Sequence, residues 1–344
     1  MTAVHVIVPE GIDDPARPSG GNTYDRRVCE GLAARGWAVH VHAVAGSWPD
    51  PDADAHRALA GAVARIPDGA VVLLDGLVAS TAPQVLVPAA ARVRLVVLVH
   101  MPLADPPERE VLSATAAVVA TSRWAREALI GMHGVPPERA HVAEPGVDPA
   151  EPASGTPGGE ALICVGAVIP GKGHDVLLDA LAPMAELPWR CRCVGSLDRD
   201  PAFAERLRLR AARGGLGERM SFPGPANGAA LDRSYAGADL LVLPSRAETY
   251  GMVITEALAR GLPVVAAEVG GVPEALGRGA DGALPGMLVR PGDPVALRAA
   301  LRAWLGDAGL RRAWRRAARE RRAALPRWSA TTSVLAGVLA GAGR

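Results

Sequence analysis

Two glutamates at the start of a predicted helix are the side chains in this chain best suited to chemistry. They lie within residues 244–271, which read PSRAETYGMVITEALARGLPVVAAEVGG. Glu248 falls in the loop before the helix, and Glu256 falls eight residues later, inside it. A helix start offers backbone N–H groups that bind anions and hydroxyl groups readily. The expected N–H groups here belong to Thr249, Tyr250 and Gly251.

A single lysine follows a glycine-rich turn in the second half of the chain. The segment VGAVIPGKGHD combines a strand, a loop and the start of a helix, and it contains Gly166 and Lys172. Lys172 is the one lysine among 37 basic residues, all the others being arginine. An ammonium group is a compact point charge, whereas a guanidinium is a rigid planar fork. The single lysine in an arginine-rich chain predicts a position where the rigid fork of arginine will not serve.

The first half of the chain has a second group of candidates. Gly20 and Gly21, in SGGNTY between the first strand and the first helix, would let the backbone approach a ligand closely. His100 follows the apolar strand LVVLV directly, and Asp75 ends VVLLD. Side chains at the carboxyl ends of parallel strands collect at one edge of a sheet, where ligands bind.

Strand-like and helix-like segments alternate along the chain and would position these residues. The strands are continuous apolar runs, which favours parallel sheets buried on both faces. The predicted elements of the first half are strands at Val4–Val8, Val39–Ala43, Val71–Leu74, Leu95–Val99 and Val118–Ala120, and a helix at Thr23–Arg35. Those of the second half are strands at Leu162–Gly166, Cys191–Gly195, Leu240–Leu243, Pro263–Ala266 and Met287–Val289, and helices at Asp175–Ala182, Phe203–Arg213 and Met252–Arg260.

Composition divides the chain into two halves. Residues 144–159, EPGVDPAEPASGTPGG, are rich in proline and glycine, which predicts a linker. The predicted organisation is therefore a first domain at 1–148, a linker at 149–159 and a second domain at 160–327, with a final helix at 328–344 packing back on the first domain. Both domains are expected to be doubly wound α/β sheets, with the active site in a cleft between them.

The whole string from Glu248 through Glu256 to the Gly-Leu-Pro-Val-Val strand and Gly270–Gly271 closely resembles glycosyltransferase family 4. Members of that family are retaining enzymes with the GT-B fold, which is built from two facing Rossmann-like domains. The resemblance implies that the second domain binds a nucleotide-sugar donor and that the first binds the acceptor. It further implies that Glu248 contacts the donor sugar near the reaction centre and that Glu256 holds the ribose hydroxyls.

The same resemblance assigns roles to the other candidates. It places Lys172, beside Gly166, against the donor diphosphate, and it implies contact of His100 with the donor sugar or the acceptor. Where relatives frame the nucleobase with backbone atoms, this chain has Phe222 and Gly224. The sequence departs from the family at Ala167, where an arginine is usual, and at Gly171, which is often basic; Arg246 or an arginine of the first domain would be a substitute.

The expected reaction transfers a sugar, with retention, to a hydroxyl of a small-molecule acceptor. UDP-sugars are favoured as donors and GDP-sugars are the second choice. The Asp-x-Asp metal clasp is absent from the sequence, so we expect no metal requirement and no cofactor beyond the nucleotide sugar. Two alternatives remain open: a nucleotide-sugar epimerase on the same architecture, and a non-catalytic nucleotide-sugar binder.

Composition excludes several other classes. A formal net charge of +1 and 3% aromatic residues give no basis for a nucleic-acid partner. No apolar run is long enough for a membrane span, and the amino-terminal residues do not form a signal peptide, so a cytoplasmic protein is expected. The four cysteines have no paired spacing that would indicate disulfides or a zinc site.

Three further features have predominantly structural interpretations. His40 and His42 alternate along a strand and share a face, but the sequence indicates no third ligand that would make them a metal site. His174 could flank the phosphates, although a place at the following helix is favoured. The arginine-rich segment Arg311–Arg327 is interpreted mainly as a solvated helix face, with weak peripheral membrane contact as an alternative.

Overall fold

The computed structural model describes residues 2–14 and 18–343, arranged as two compact units. Unit 1 contains the described residues up to Asp14, Ser19–Gly146 and the described residues from Pro326 onward, whereas unit 2 contains Pro18 and Val147–Leu325. Residues 1, 15–17 and 344, which the predicted domain boundaries include, lie outside the described residues.

Unit 1 is built on a six-stranded parallel sheet with the order β2-β1-β3-β4-β5-β6. Its central strands are almost wholly buried, as their continuous valine and leucine content predicts. The strands are β1 (Ala3–Pro9), β2 (Ala38–Val44), β3 (Val71–Asp75), β4 (Arg94–Val99), β5 (Ala117–Ala120) and β6 (Ala140–Val142).

Helices cover both faces of this sheet and create two hydrophobic cores. One core contains residues of α2, including Leu59, and the other contains residues of α1 and α14, including Leu32 and Leu335. The helices of unit 1 are α1 (Gly20–Ala34), α2 (Ala53–Ala64), α3 (Gly76–Ala79), α4 (Pro83–Ala89), α5 (Pro106–Ala114), α6 (Arg123–His133) and, from the other end of the chain, α14 (Trp328–Ala342).

The second unit repeats the arrangement with a six-stranded parallel sheet in the order β12-β11-β10-β7-β8-β9. The strands are β7 (Ala161–Val165), β8 (Arg190–Val194), β9 (Met220–Gly224), β10 (Leu240–Leu243), β11 (Val264–Ala267) and β12 (Gly286–Val289). The helices are α7 (His174–Leu181), α8 (Pro201–Arg213), α9 (Gly228–Ala236), α10 (Met252–Ala259), α11 (Val272–Leu276), α12 (Pro294–Gly306) and α13 (Ala308–Ala323), with short 3-10 turns at Pro170–Lys172 and Ala182–Met184.

The proline- and glycine-rich segment between the two sheets has no helix or strand, yet it is fixed to unit 2. The side chain of Asp239 accepts hydrogen bonds from the backbone N–H and the hydroxyl of Thr156, at 2.9 and 2.6 Å. The N–H of Ala153 donates to the carbonyl of Arg260 at 2.9 Å. These bonds satisfy the backbone of a segment that cannot join either sheet.

The prediction of a two-domain α/β architecture with doubly wound parallel sheets is confirmed. Every predicted strand is present within two residues of its expected bounds. The first helix begins three residues earlier than predicted, because the hydroxyl of Ser19 accepts a hydrogen bond from the N–H of Asn22 and caps it. Helix α2 was missed although its buried residues Ala55, Leu59, Ala62 and Val63 have helical spacing, because two of the four are alanines, which mark an apolar face weakly. Among the described residues, no helix combines the length and apolarity needed to cross a bilayer.

Candidate functional site

The carboxyl ends of β7 and β10 bring the lysine and the first glutamate of the sequence analysis together. These two strands are neighbours, although β7 comes first in unit 2 and β10 fourth, so the strand order reverses between them. Such a switch point leaves a crevice where ligands bind. There the Nζ of Lys172 lies 2.6 Å from Oε1 of Glu248, and the hydroxyl of Ser245 donates to the same oxygen at 2.8 Å.

Glycines make this approach of two loops possible. Gly173 has a φ of +68°, and a Cβ built there would lie 2.0 Å from the carbonyl oxygen of Pro244. A Cβ on Gly195, after β8, would lie 1.9 Å from the carbonyl oxygen of Gly166. The stem of Lys172 lies over Gly166, with its Cδ 3.7 Å from a built Cβ. Only glycine fits where backbones approach this closely. Sequence reasoning did not identify Gly173 or Gly195, because their contacts depend on neighbouring strands.

The second glutamate lies on α10, whose start is shaped by Gly251. That glycine is the N-cap residue, with φ of +90°, and no side chain caps the helix. Glu256 accepts a hydrogen bond from the hydroxyl of Tyr235 at 2.9 Å through Oε2. Burial raises the pKa of Glu256, while the bond from Tyr235 and nearby Arg260 oppose the rise. Tyr235, a fully buried residue missed in the sequence, therefore orients this carboxylate.

The predicted helix-start residues divide by environment. The side chain of Tyr250 is buried in the core of unit 2, so it supports the loop from inside. Thr249 is half-buried at the surface of the same loop. Phe222 and Gly224 lie on β9, an edge strand separated from β7 by β8. The carbonyl of Gly224 accepts a hydrogen bond from the N–H of Gly195 at 3.0 Å. Because Gly195 also lies against Gly166, the ends of β7, β8 and β9 are connected through these three glycines.

Arg246 lies beside the lysine loop, where the sequence lacks the expected arginine at Ala167. Its backbone N–H donates to the carbonyl of Gly171 at 2.8 Å, and its guanidinium donates to the carbonyl of Pro170 at 2.5 Å. The same guanidinium binds both carboxylate oxygens of Asp175, at 2.8 and 2.7 Å. The hydrogen bond from Arg246 lowers the pKa of Asp175. A cation is thus held at this loop by a bidentate ion pair.

His174 lies at the start of the helix that follows the lysine loop, which is the place that the sequence favours for it. It is fully buried as the first residue of α7, and its Nε2 lies 3.6 Å from Sγ of Cys164 in the core. The left-handed turn at Gly173 directs the chain into the core after Lys172.

In unit 1 a cluster of three titratable side chains surrounds the carboxyl ends of β3 and β4. The Nε2 of His100 lies 2.9 Å from Oδ1 of Asp25 and 3.8 Å from Oδ2 of Asp75. The other oxygen of Asp75 accepts a hydrogen bond from the N–H of Leu77 at 2.6 Å. Gly21 lies against the imidazole, since a Cβ there would be 3.3 Å from Cδ2 of His100. Gly20 is the first residue of α1.

This cluster retains protons at neutral pH. Burial by itself would lower the pKa of His100, but Asp25 and then Asp75 outweigh it and raise that pKa to about 9. Burial raises the pKa of Asp75 to about 8, with a further contribution from Asp25. A protonated Asp75 would be able to donate a hydrogen bond to the neighbouring carboxylate of Asp25. The cluster therefore presents an imidazolium held by two carboxyl groups.

Asp25 was missed in the sequence, and a substitution there tests the cluster. The Asp25→Asn variant is expected to have a lower pKa at His100, because the nearest carboxylate is removed. His100 and Asp75 bind protons more tightly in the folded than in the unfolded state, so their stabilising contributions are lost as pH rises through about 8 to 9. As the pH is raised from about 6 to about 9, we expect the melting temperature of Asp25→Asn to fall less steeply than that of the wild type.

NMR titration of the His100 ring measures its pKa, and melting curves at several pH values measure the pH dependence of the melting temperature. The matched control is Asp13→Asn, because Asp13 is an exposed carboxylate of the same unit. An unchanged His100 pKa in Asp25→Asn would contradict the proposed charge coupling.

The same three side chains satisfy the distance requirement for a metal site. One oxygen from each carboxylate and one imidazole nitrogen lie within 4.8 Å of one another. A metal ligand must be a deprotonated carboxylate or a neutral imidazole. The raised pKa values of His100 and Asp75 favour protons over a cation in this cluster. The expectation of a metal-independent protein stays a prediction.

Arginines of the basic segment bond largely within unit 2. Arg315 binds the buried carboxylate of Asp239 at 2.7 Å, and Arg311 donates to the carbonyls of Trp304 and Leu305 at 2.9 Å each. Arg322 donates to the carbonyl of Ala150 at 2.6 Å. Other arginines of the segment are exposed, namely Arg312, Arg316, Arg319 and Arg327.

Comparison with known families gives two matches that follow the division of the chain. The sequence model described as Glycosyl transferases group 1 matches residues 151–321. The model described as Glycosyltransferase Family 4 matches residues 18–151. The two matches meet in the segment between the sheets, so each candidate cluster lies within a matched region.

Curated relatives are similar over somewhat more than half of the chain. A D-inositol 3-phosphate glycosyltransferase of Jonesia denitrificans is 34% identical over 233 residues, covering 62% of this chain and 54% of that protein. A D-inositol 3-phosphate glycosyltransferase 1 of Catenulispora acidiphila is 35% identical over 221 residues, covering 58% and 51%. The chain thus spans about half the length of the curated relatives it matches.

Solved structures share the architecture along nearly the whole chain. A glycosyltransferase from Rickettsia africae superposes with a TM-score of 0.79 at 18% identity, covering 99% of this chain and 98% of that one. A sucrose-phosphate synthase from Thermosynechococcus elongatus gives 0.78 at 22% identity, covering 99% of both. HepE from Anabaena, solved in complex with UDP and glucose, gives 0.76 at 18% identity, covering 99% and 100%. These likenesses show the GT-B fold.

Proposed function

The chain belongs to glycosyltransferase family 4, and from this premise we propose that it transfers a sugar from a nucleoside-diphosphate sugar to a hydroxyl of a small acceptor, with retention at the anomeric carbon. The observation that carries the proposal is the pairing of Lys172 and Glu248 at 2.6 Å, at the switch point of the unit 2 sheet. It joins the cation that a leaving diphosphate needs to the carboxylate that would face the donor sugar.

The donor site is proposed from the contacts of unit 2. The glycine contacts at Gly166 and Gly173 leave backbone close to the diphosphate, and Lys172 supplies charge as the sugar–phosphate bond breaks. Glu256, oriented by Tyr235, would accept hydrogen bonds from ribose hydroxyls. UDP is the favoured nucleotide; a fold relative was solved with UDP and glucose, which is consistent with this choice.

The reaction is proposed to proceed on one face of the sugar. The acceptor oxygen forms a bond to the anomeric carbon while the bond from that carbon to the diphosphate oxygen breaks, and the acceptor proton passes to a phosphate oxygen of the donor. The imidazolium of His100 would bind an acceptor oxygen or an anionic group of the acceptor. Curated relatives are named for an inositol phosphate acceptor, which fits a cationic contact of this kind.

Compartment and surface contacts complete the proposal. Cys29, Cys164, Cys191 and Cys193 are free thiols, which suits a reducing cytoplasm. Weak contact of the exposed arginines with an anionic membrane surface stays a prediction.

Calorimetry with a panel of nucleoside diphosphates and nucleotide sugars, in the presence of EDTA, tests the donor site. We expect selective binding of one nucleotide, with UDP first, because the site supplies its cations from side chains. With an acceptor that the protein uses, NMR coupling constants of the product should show the same anomeric configuration as in the donor. Binding of no nucleotide would contradict the donor site, and inverted product would contradict retention. Epimerised donor formed without acceptor would favour the epimerase alternative, and binding without turnover across many acceptors would favour the non-catalytic one.

A further inference from the structure

Three histidines of the first two strands cluster on one face of the unit 1 sheet. His5 on β1 is in register with His40 on the edge strand β2, and His42 follows two residues later. The Nδ1 of His5 lies 2.9 Å from Nε2 of His42. The ring of His5 is stacked against both others, with centroids 4.9 Å from His40 and 5.2 Å from His42. The neighbouring strand thus supplies the third imidazole that the sequence of β2 alone does not indicate.

The separation of the rings suits a shared ion. Two nitrogens bound to one tetrahedral zinc at its usual bond length lie about 3.3 Å apart. The nitrogens of His5 and His42 are already close to that separation, at 2.9 Å. The nitrogens of the three rings do not all lie within 4.8 Å of one another, so His40 must turn toward the other two to complete the set. His40 is exposed, and an exposed side chain changes rotamer on the picosecond-to-nanosecond timescale.

The surroundings of His5 and His42 lower the pKa of both imidazoles and so favour the neutral form. Burial lowers the pKa of His5, and the neighbouring His42 and His40 lower it further. Burial also lowers the pKa of His42, followed by Arg65 and His40. A neutral imidazole has a nitrogen lone pair for a metal ion, whereas an imidazolium has none. Arg65, an exposed residue at the end of α2, is the charged group that would oppose a bound cation.

The cluster is separate from the candidate donor and acceptor residues. His5 is the third residue of β1, and His40 is the third residue of β2. The candidate residues of unit 1 instead follow the carboxyl ends of the strands, as His100 does after β4. The inference therefore does not depend on the transferase reaction.

We propose that His5, His40 and His42 form a three-histidine site for a divalent transition-metal ion of the zinc type. Imidazole suits zinc, copper and nickel, and three protein ligands with an open fourth position are an established coordination pattern for zinc. A bound ion would connect the edge strand β2 to β1 through side chains, in addition to the backbone hydrogen bonds of the sheet.

Calorimetric titration of ZnCl₂ into the full chain, first stripped with a chelator, tests the site. We expect one ion per chain, and binding weakened at least about tenfold in His40→Ala, since even partners outside the ligand set cost about 10–100-fold. Arg65→Ala should strengthen binding by about two- to fivefold, because a nearby positive charge is removed. His141→Ala is the matched control, because His141 is a half-buried histidine on β6, the opposite edge strand of the same sheet.

Melting curves provide a second measurement that is independent of activity. At a zinc concentration about a hundredfold above the dissociation constant, the melting temperature of unit 1 should rise by about 5–10 °C in the wild type and not in His40→Ala. Equal melting temperatures of the two proteins in EDTA would show that the substitution leaves the fold intact. Wild-type zinc affinity in both His40→Ala and His42→Ala would overturn the proposal. Loss of zinc binding in His100→Gln with retention in His40→Ala would also overturn it, by assigning the ion to the Asp25–Asp75–His100 cluster.

Discussion

Replacement of Lys172 by methionine is expected to lower the turnover number by about 10²–10³-fold, the usual cost of removing one group that stabilises a leaving anion. Methionine preserves the apolar stem over Gly166 and removes the charge. It also leaves Glu248, whose side chain is 11% exposed, without its 2.6 Å partner. Both consequences weaken donor binding, because the diphosphate loses a cation and meets an uncompensated carboxylate.

The matched control for this prediction is Lys172→Arg, which retains the charge and changes its geometry. A guanidinium cannot reproduce the point charge of an ammonium, so we expect partial recovery. Steady-state kinetics separates turnover from the Michaelis constant, and calorimetry measures nucleoside-diphosphate affinity. Donor affinity and turnover equal to wild type in either Lys172→Met or Lys172→Ala would show that the phosphate role is wrong.

The second large effect is expected from Gly173→Ala. The φ of +68° costs a non-glycine residue about 1–2 kcal/mol, and the added Cβ would lie 2.0 Å from the carbonyl oxygen of Pro244. The two loops must separate to admit it, which moves Lys172 away from Glu248. We expect a loss of at least about 2 kcal/mol in the free energy of unfolding. Turnover should fall by about 10²-fold, since a displacement near 1 Å has that effect on a reacting geometry.

Gly171→Ala is the control, because Gly171 belongs to the same 3-10 turn and a Cβ built there meets no atom within 4 Å. Chemical denaturation and turnover would be measured for both variants. Similar losses in the two variants would mean that an added methyl group at either glycine disturbs the turn, and that the contact with Pro244 is not the cause.

The parts of the site that could be predicted from the sequence are those fixed by local order. Lys172 and Glu248 each follow a continuous apolar strand and a short loop, and that pattern alone places them at the carboxyl edge of a parallel sheet. The fold class follows from the same alternation of strands and helices. Local order also identified His100, which follows β4 directly.

The parts that could not be predicted depend on register and rotation. Asp25 reaches His100 only because α1 turns that face of the helix toward β4, and Tyr235 reaches Glu256 from a different helix. Gly195 matters only because β8 lies beside β7. His5 joins His40 through the pairing of β1 with β2, which is a property of the sheet and not of either strand.

The return of α14 to unit 1 has a consequence for the order in which the chain folds during synthesis. Unit 2 is the continuous stretch Val147–Leu325, whereas the core of unit 1 includes Leu335 and Leu339, which are made after it. Domains usually fold in the order in which they are synthesised, and synthesis proceeds at about 5–20 residues per second. In this chain α14 can cover the first sheet only after the whole second unit has been translated, which takes about 10–40 s at that rate. Until then the apolar surface on the α1 face of that sheet that packs against Leu335 and Leu339 stays uncovered.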